Sequence, residues 1–186
     1  SLPPYAENGP AFVCPADASG MAARLYFAPA GDATLYWKLV IENEGRLPVE
    51  VERLDVLDGE MPLAADADTG VYSNGWQSWS PAAVYGARDR MLHSKLGFFQ
   101  RPMIDNPGTP VYRRAGLFAS DFYGAVIDRH ARTALLAGFL SQMQHFGTLS
   151  VDLRSGAYLC LWANGDRTRL DPGAQMETDW AVLHSI

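Results

Sequence analysis

Apolar segments of strand length, each closed by a Gly, Pro, Asn or Asp turn signal, recur along this chain with almost no 3.6-residue period. Residues 34–42 are rich in aromatic and β-branched side chains, and residues 49–57 alternate apolar with charged over much of their length. The first pattern marks a strand by composition, the second a half-buried strand by its period of two. Residues 25–27, 125–128, 135–140, 149–153, 158–162 and 180–183 complete the predicted set. Gly45-Arg46-Leu47-Pro48 reads as a hairpin link between the segments it separates. Turn signals recur at Ser155-Gly156, Asn164-Gly165-Asp166 and Asp171-Pro172-Gly173. The spacing predicts an all-β fold, an antiparallel β-sandwich with little helix, over one domain spanning residues 1–186.

Length supports that reading, since 186 residues suffice to bury a core. A hydrophobic share of 48% against 19% charged residues is that of a globular chain. The net charge of −6 argues against nucleic acid and anionic membrane surfaces as partners, because both demand clustered Lys and Arg. No apolar run approaches the ~18 residues of a membrane helix. Cys14 and Cys160 are the two cysteines, too few for a disulfide framework, and a cytoplasmic compartment is the expectation. Cys160, inside Tyr158-Leu159-Cys160-Leu161-Trp162, reads as an inert core thiol.

The stretch from residue 83 to 114 departs from the pattern. It carries Arg88, Arg90, Arg101, Arg113 and Arg114 with Pro102, Pro107 and Pro110, and it shows no strand alternation. Such a segment in a compact domain is either functional, wrapping a partner surface, or a plain surface excursion. Chemistry-bearing motifs are missing elsewhere: there is no phosphate loop and no G-x-S-x-G. His93, His130, His145 and His184 share no metal-ligand spacing, and no pair of acids stands out as acid and base. No catalytic residue, metal site or cofactor is expected on this chain. His145, after a buried-looking strand, is expected to hydrogen-bond at the strand end in a structural role.

Ser73-Asn74-Gly75-Trp76-Gln77-Ser78-Trp79-Ser80-Pro81 is the segment with the most pointed chemistry. It places two of five tryptophans three residues apart among turn formers. An indole offers a flat apolar face for sugar C–H groups and one N–H for a hydroxyl. The same pair would equally serve as core anchors beside a tight turn.

Asn74-Gly75-Trp76-Gln77-Ser78-Trp79-Ser80 resembles the N-W-Q-S-W element of the melibiase-type α-galactosidases, glycoside hydrolase family 36. Ser120-Asp121-Phe122-Tyr123 resembles that family's S-D-Y/W-F strand start. Gly138-Phe139-Leu140-Ser141-Gln142-Met143-Gln144-His145-Phe146-Gly147 resembles its following G-F-L-S strand, which ends near a His. The three elements keep the family's order over about 75 residues. The resemblance implies a galactose-mutarotase-like β-supersandwich placed before a (β/α)8 barrel, on which two aspartates carry out retaining hydrolysis. None of those catalytic residues has a counterpart here. The second Trp of the element, matched by Trp79, is implied to help bind the terminal galactose, with Asn74, Gly75 and Trp76 supporting its loop.

The implied partners are an α-galactoside, bound together with the barrel absent from this sequence, and that barrel or a neighbouring subunit. The chain is then expected to be an N-terminal domain of a longer enzyme, or a stand-alone relative. An independent carbohydrate-binding module and an assembly domain without sugar contact are the competing readings. An apolar interface is expected at Trp79, Tyr85 and Phe98-Phe99.

Overall fold

The computed structural model describes residues 11–63, 65–76, 80–92 and 106–186. Thirteen strands run through them: β1 Ala11–Cys14, β2 Met21–Ala30, β3 Thr34–Asn43, β4 Val49–Met61, β5 Thr69–Ser73, β6 Ala83–Gly86 and β7 Leu117–Asp121. Then come β8 Tyr123–Asp128, β9 Thr133–Phe139, β10 Gly147–Asp152, β11 Ala157–Leu170, β12 Gln175–Glu177 and β13 Ala181–Ser185. Every pairing is antiparallel, and no helix occurs among the described residues. The larger sheet runs β1-β2-β3-β13-β9-β8-β5-β6, with β12 pairing β3, and the smaller runs β4-β11-β10-β7. The predicted antiparallel sandwich is therefore what the chain forms.

Alternation decides which side chains meet between the sheets. Along β11, Leu159, Leu161 and Ala163 point inward and are buried, and Leu149 and Val151 do so on β10. From the larger sheet Trp37, Val71, Val126, Ala137 and Ala181 close the same core. Trp37 also ties the two layers together, its indole Nε1 donating to the carbonyl of Val56 at 2.8 Å. A buried indole N–H without such an acceptor would cost stability.

Several local expectations are corrected. Gly45-Arg46-Leu47-Pro48 is not a hairpin link, because β3 lies in the larger sheet and β4 in the smaller. The chain turns a corner there around Asn43, which is fully buried. The Asn43 amide donates to the carbonyls of Leu47 and Leu170, both at 2.9 Å, and its oxygen accepts from Gly45 N at 3.0 Å. Turn-forming residues signal that the chain reverses; they do not say whether it stays in its sheet. Asn164-Gly165-Asp166 likewise fails as a turn between strands and sits inside β11. The register against β4 skips between Asn164 and Thr168, and Asp166 and Arg167 take positive φ of 52° and 57°. That is a β-bulge, which uses the same residue types as a turn.

The irregular 83–114 stretch contains a strand after all, β6. Tyr85 is 4% exposed and stacks on Phe118 with centroids 5.5 Å apart, so it belongs to the core and not to an apolar interface. Phe98 and Phe99 lie outside the described residues.

Cys160 is not a core residue either. It points out of the smaller sheet and is half-buried beside Asp55 and Asp58. Burial, then the two carboxylates, push its thiol up to about 12. At pH 8 the reactive thiolate is then a minor form. Cys14 stands exposed on an edge strand. Titration of the native chain with a thiol reagent is expected to give one fast equivalent, from Cys14. A second fast equivalent that survives Cys14→Ser would contradict this.

Candidate functional site

The three segments that carry the family resemblance meet at one end of the sandwich. Asn74 follows β5 directly, and its peptide is clamped to the end of β7. Its backbone N–H donates to Ser120 Oγ at 2.7 Å, and its carbonyl accepts from the Asp121 N–H at 3.0 Å. The Asn74 amide donates to the Asp121 carbonyl at 3.1 Å. One residue earlier, the Ser73 hydroxyl donates to the Ala119 carbonyl at 2.7 Å. These bonds cross from the larger sheet to the smaller, so the loop that follows springs from a fixed seam.

Gly75 is required by the loop's return. A Cβ on it would lie 2.3 Å from Ser80 Cβ, closer than real Cβ atoms sit, and a tight 3.1 Å from the Pro81 carbonyl oxygen. Trp76 is half-buried and meets Phe146 edge-on, centroids 6.2 Å apart and planes at 78°. Its indole Nε1 is shielded from solvent and has no hydrogen-bond acceptor among the described residues. Gln77, Ser78 and Trp79, the expected sugar contact among them, lie outside the described residues.

The second segment is a crossing point. Asp121 ends β7 and Tyr123 opens β8, so the boundary between the sheets falls on Phe122. That residue takes a positive φ of 69°, an uncommon conformation for a bulky side chain. It is held by Phe122 N–H to the Gly147 carbonyl at 2.8 Å and by Phe139 N–H to the Phe122 carbonyl at 2.9 Å. Its ring lies 6.0 Å from that of Phe146. Strained backbone persists where surrounding structure over-determines it, and here both neighbours of the strain belong to the third segment.

The loop within that third segment, residues 140–146, is organised by a residue that sequence spacing does not reveal. Asp179, 6% exposed, comes from the link before β13. Its carboxylate accepts from the Ser141 hydroxyl and from the backbone N–H groups of Gln144 at 2.9 Å, His145 at 3.2 Å and Met143 at 3.3 Å. Burial pushes its carboxyl up, but the four donors together outweigh it and hold it below the usual carboxylate range. His145 has the structural role expected of it. Nδ1 lies 3.0 Å from the Asn164 carbonyl and Nε2 3.1 Å from that of Glu177.

A second polar cluster, also unforeseen, sits on the outward face of the smaller sheet. Thr109 Oγ1 donates to Asp121 Oδ1 at 2.6 Å and lies 2.9 Å from Thr148 Oγ1, while the Asn106 amide donates to Asp121 Oδ1 at 3.1 Å. It borders a cavity of about 50 Å³ under the Asn74–Gly75 turn, lined also by Met91, Leu92 and Pro110. That is room for a few waters and too little for a sugar ring. The third segment presents instead exposed apolar side chains, Leu140, Phe146 and the 83%-exposed Met143, and Phe146 meets Trp76.

No family model matches the sequence, and no curated protein does. Among solved structures, the GH36 α-galactosidase AgaB of Geobacillus stearothermophilus is similar with a TM-score of 0.54 at 13% sequence identity, over 95% of this chain and 23% of that one. The Synechocystis protein Slr1438 gives a TM-score of 0.45 at 11% identity, over 95% of this chain and 65% of that one. The chain thus spans less than a quarter of the α-galactosidase's length. The likeness to AgaB is one of fold.

Proposed function

We propose that this chain is the non-catalytic N-terminal β-sandwich domain of an α-galactosidase-like glycoside hydrolase, and that it helps to form the terminal-galactose pocket. The observation that carries the reading is the fold likeness to AgaB, which takes in 95% of this chain and only 23% of that enzyme. The convergence of the three resembling segments on one end of the sandwich supports it. In this reading Trp79 borders the galactose, and Asn74, Gly75 and Trp76 hold its loop. Exposed Leu140, Met143 and Phe146 mark the surface that a (β/α)8 barrel or a neighbouring subunit covers, as exposed apolar patches of this kind usually are. The small cavity beneath the loop fits a pocket whose other walls come from that partner.

The isolated 186-residue chain is expected to show no turnover of 4-nitrophenyl α-galactoside. Retaining hydrolysis needs two carboxyl groups about 5–5.5 Å apart across one bond. At the site end the described carboxylates Asp121 and Asp179 are each engaged as structural acceptors. Co-expression of this domain with the remainder of its reading frame is expected to restore turnover. Activity of the purified chain alone, or a reading frame that encodes no barrel, would overturn the proposal in favour of a stand-alone binding or assembly module.

A further inference from the structure

We infer that the outward face of the smaller sheet carries a binding trough for a neutral saccharide unit. The inference does not depend on the role proposed for Trp79. Because Leu159, Leu161 and Ala163 point into the core, Tyr158, Cys160, Trp162 and Asn164 of β11 point out. Ser150 of β10 and Arg53, Asp55 and Asp58 of β4 share that face. The face is not open and flat, because residues 106–112 form a wall along it. Gly108 lies so close to Asn164 that a Cβ would come within 2.5 Å of the side-chain amide. The Tyr112 hydroxyl lies 3.1 Å from Ser150 Oγ, and Thr109 pins the wall to Thr148. Between this wall and β4 runs an open trough of about 630 Å³, lined among others by Arg53, Asp58, Tyr112, Ser150, Cys160 and Trp162. That is the size of ordinary small-molecule sites, and its wall is already fixed by hydrogen bonds, so little ordering is needed on binding.

Charge and hydrogen-bonding state narrow the ligand. Glu52 and Asp58 line the trough and Asp55 lies beside it, against the two arginines Arg53 and Arg167, so the region stays net negative and disfavours phosphates and uronates. Arg53 is committed twice. It pairs with Asp55 through Nε at 3.0 Å and Nη2 at 3.1 Å, and its guanidinium lies 4.9 Å from the Trp162 ring. Trp162, 5% exposed, is covered by that stack. Asp58 is met by the neutral Tyr158 hydroxyl and keeps lone pairs for more, while the Cys160 thiol lies 3.8 Å from Asp55 Oδ1. Asp55 and Glu52 already hold the cations Arg53 and Arg167, so a cationic ligand would find Asp58 alone as its counter-ion. A hydroxyl-rich neutral ring suits what is there. It can donate to Asp58 and exchange hydrogen bonds with Tyr112 and Ser150.

The test is an amide NMR titration of the purified chain with D-galactose, D-glucose and melibiose. Agmatine and D-galacturonate serve as cationic and anionic controls. At least one neutral sugar is expected to shift the signals of Tyr112, Ser150 and residues 158–162 saturably in the millimolar range. Asp58→Ala is expected to weaken that binding about fivefold or more, and Tyr112→Phe, which keeps the ring, to weaken it about threefold, each losing one hydrogen-bonding group. Saturation by agmatine or galacturonate in preference to the sugars would overturn the inference. So would sugar shifts confined to residues 74–76 and 140–146, no shift at any sugar concentration, or sugar affinity unchanged in both variants.

Discussion

Asp179→Ala is expected to be the most damaging single change on the described surface of the site, costing about 3–5 kcal/mol of folding stability. The side chain itself is small and leaves little cavity. What it leaves behind are four donors in a mostly buried pocket, the Ser141 hydroxyl and the N–H groups of Met143, Gln144 and His145. Each buried donor without an acceptor costs about 1–3 kcal/mol, and water entering the pocket recovers part of the sum. For a chain of this length the loss corresponds to roughly 10 °C or more in Tm. The pH dependence has a definite sign. Asp179 is held below its ordinary range when folded, so its stabilisation is complete above the unfolded carboxylate value near 4 and is lost as pH falls through the lower folded value. The gap between wild type and Asp179→Ala, measured by urea unfolding, should therefore be flat from pH 7 to about 5 and close only in strong acid. A gap that closes between pH 7 and 5 would show that some other group is responsible. Asp179→Asn separates shape from chemistry. It keeps the volume but turns one of the carboxylate's acceptors into an NH2 facing N–H donors, so it should fall between wild type and alanine.

The sandwich was legible because its cause is local. Alternation along residues 49–57 is the same physical fact as two faces of unequal solvation, and it needs no partner to be read. What stayed hidden was whatever depends on partners far away in the chain. The 45–48 connection reads as a hairpin by its residues. Whether the chain returns to its own sheet is decided by Asn43 bonding to Leu170, 127 residues on. The bulge in β11 used the residues of a turn. β1, β5, β6, β7 and β12 went unread because each is only three to five residues long, too short to show a period of its own. The site was half legible. Asn74 and Gly75 announce a turn, and the structure gives both a specific duty. Asp179 carried no signal, since an acidic residue beside Trp180 reads as solvated until the loop at 141–145 is folded against it. The Thr109–Asp121–Thr148 cluster was equally silent, because its members come from a loop and two strands with no common spacing.

If the proposed function holds, the two tryptophans of the loop are expected to fail in different ways when replaced in the full-length protein. Trp79→Ala should lower kcat/KM by about 1–3 kcal/mol, roughly five- to 150-fold, through one lost aromatic contact and one lost hydrogen bond to the sugar. Its Tm should change little, because the Asn74 clamp and the Gly75–Ser80 approach are made by other residues. Trp76→Ala should act on the loop instead. The ring is half-buried rather than engulfed, so the stability cost is about 2–3 kcal/mol, below the 3–5 of a fully buried large side chain. Trp76→Phe sharpens the distinction. It keeps a ring to meet Phe146 and removes an indole N–H that is shielded and without an acceptor among the described residues. In the isolated chain that exchange should therefore be neutral or slightly stabilising. If in the complete enzyme the barrel supplies the missing acceptor, the same exchange should instead weaken the docked state, seen as a lower Tm there and not in the isolated chain. Melting curves of both variants in both contexts, with kcat/KM for the complete enzyme, decide the matter. A Trp79→Ala enzyme with unchanged kcat/KM would remove the loop from the sugar site. A Trp76→Phe chain that melts well below wild type in isolation would mean that the indole N–H is bonded within this domain.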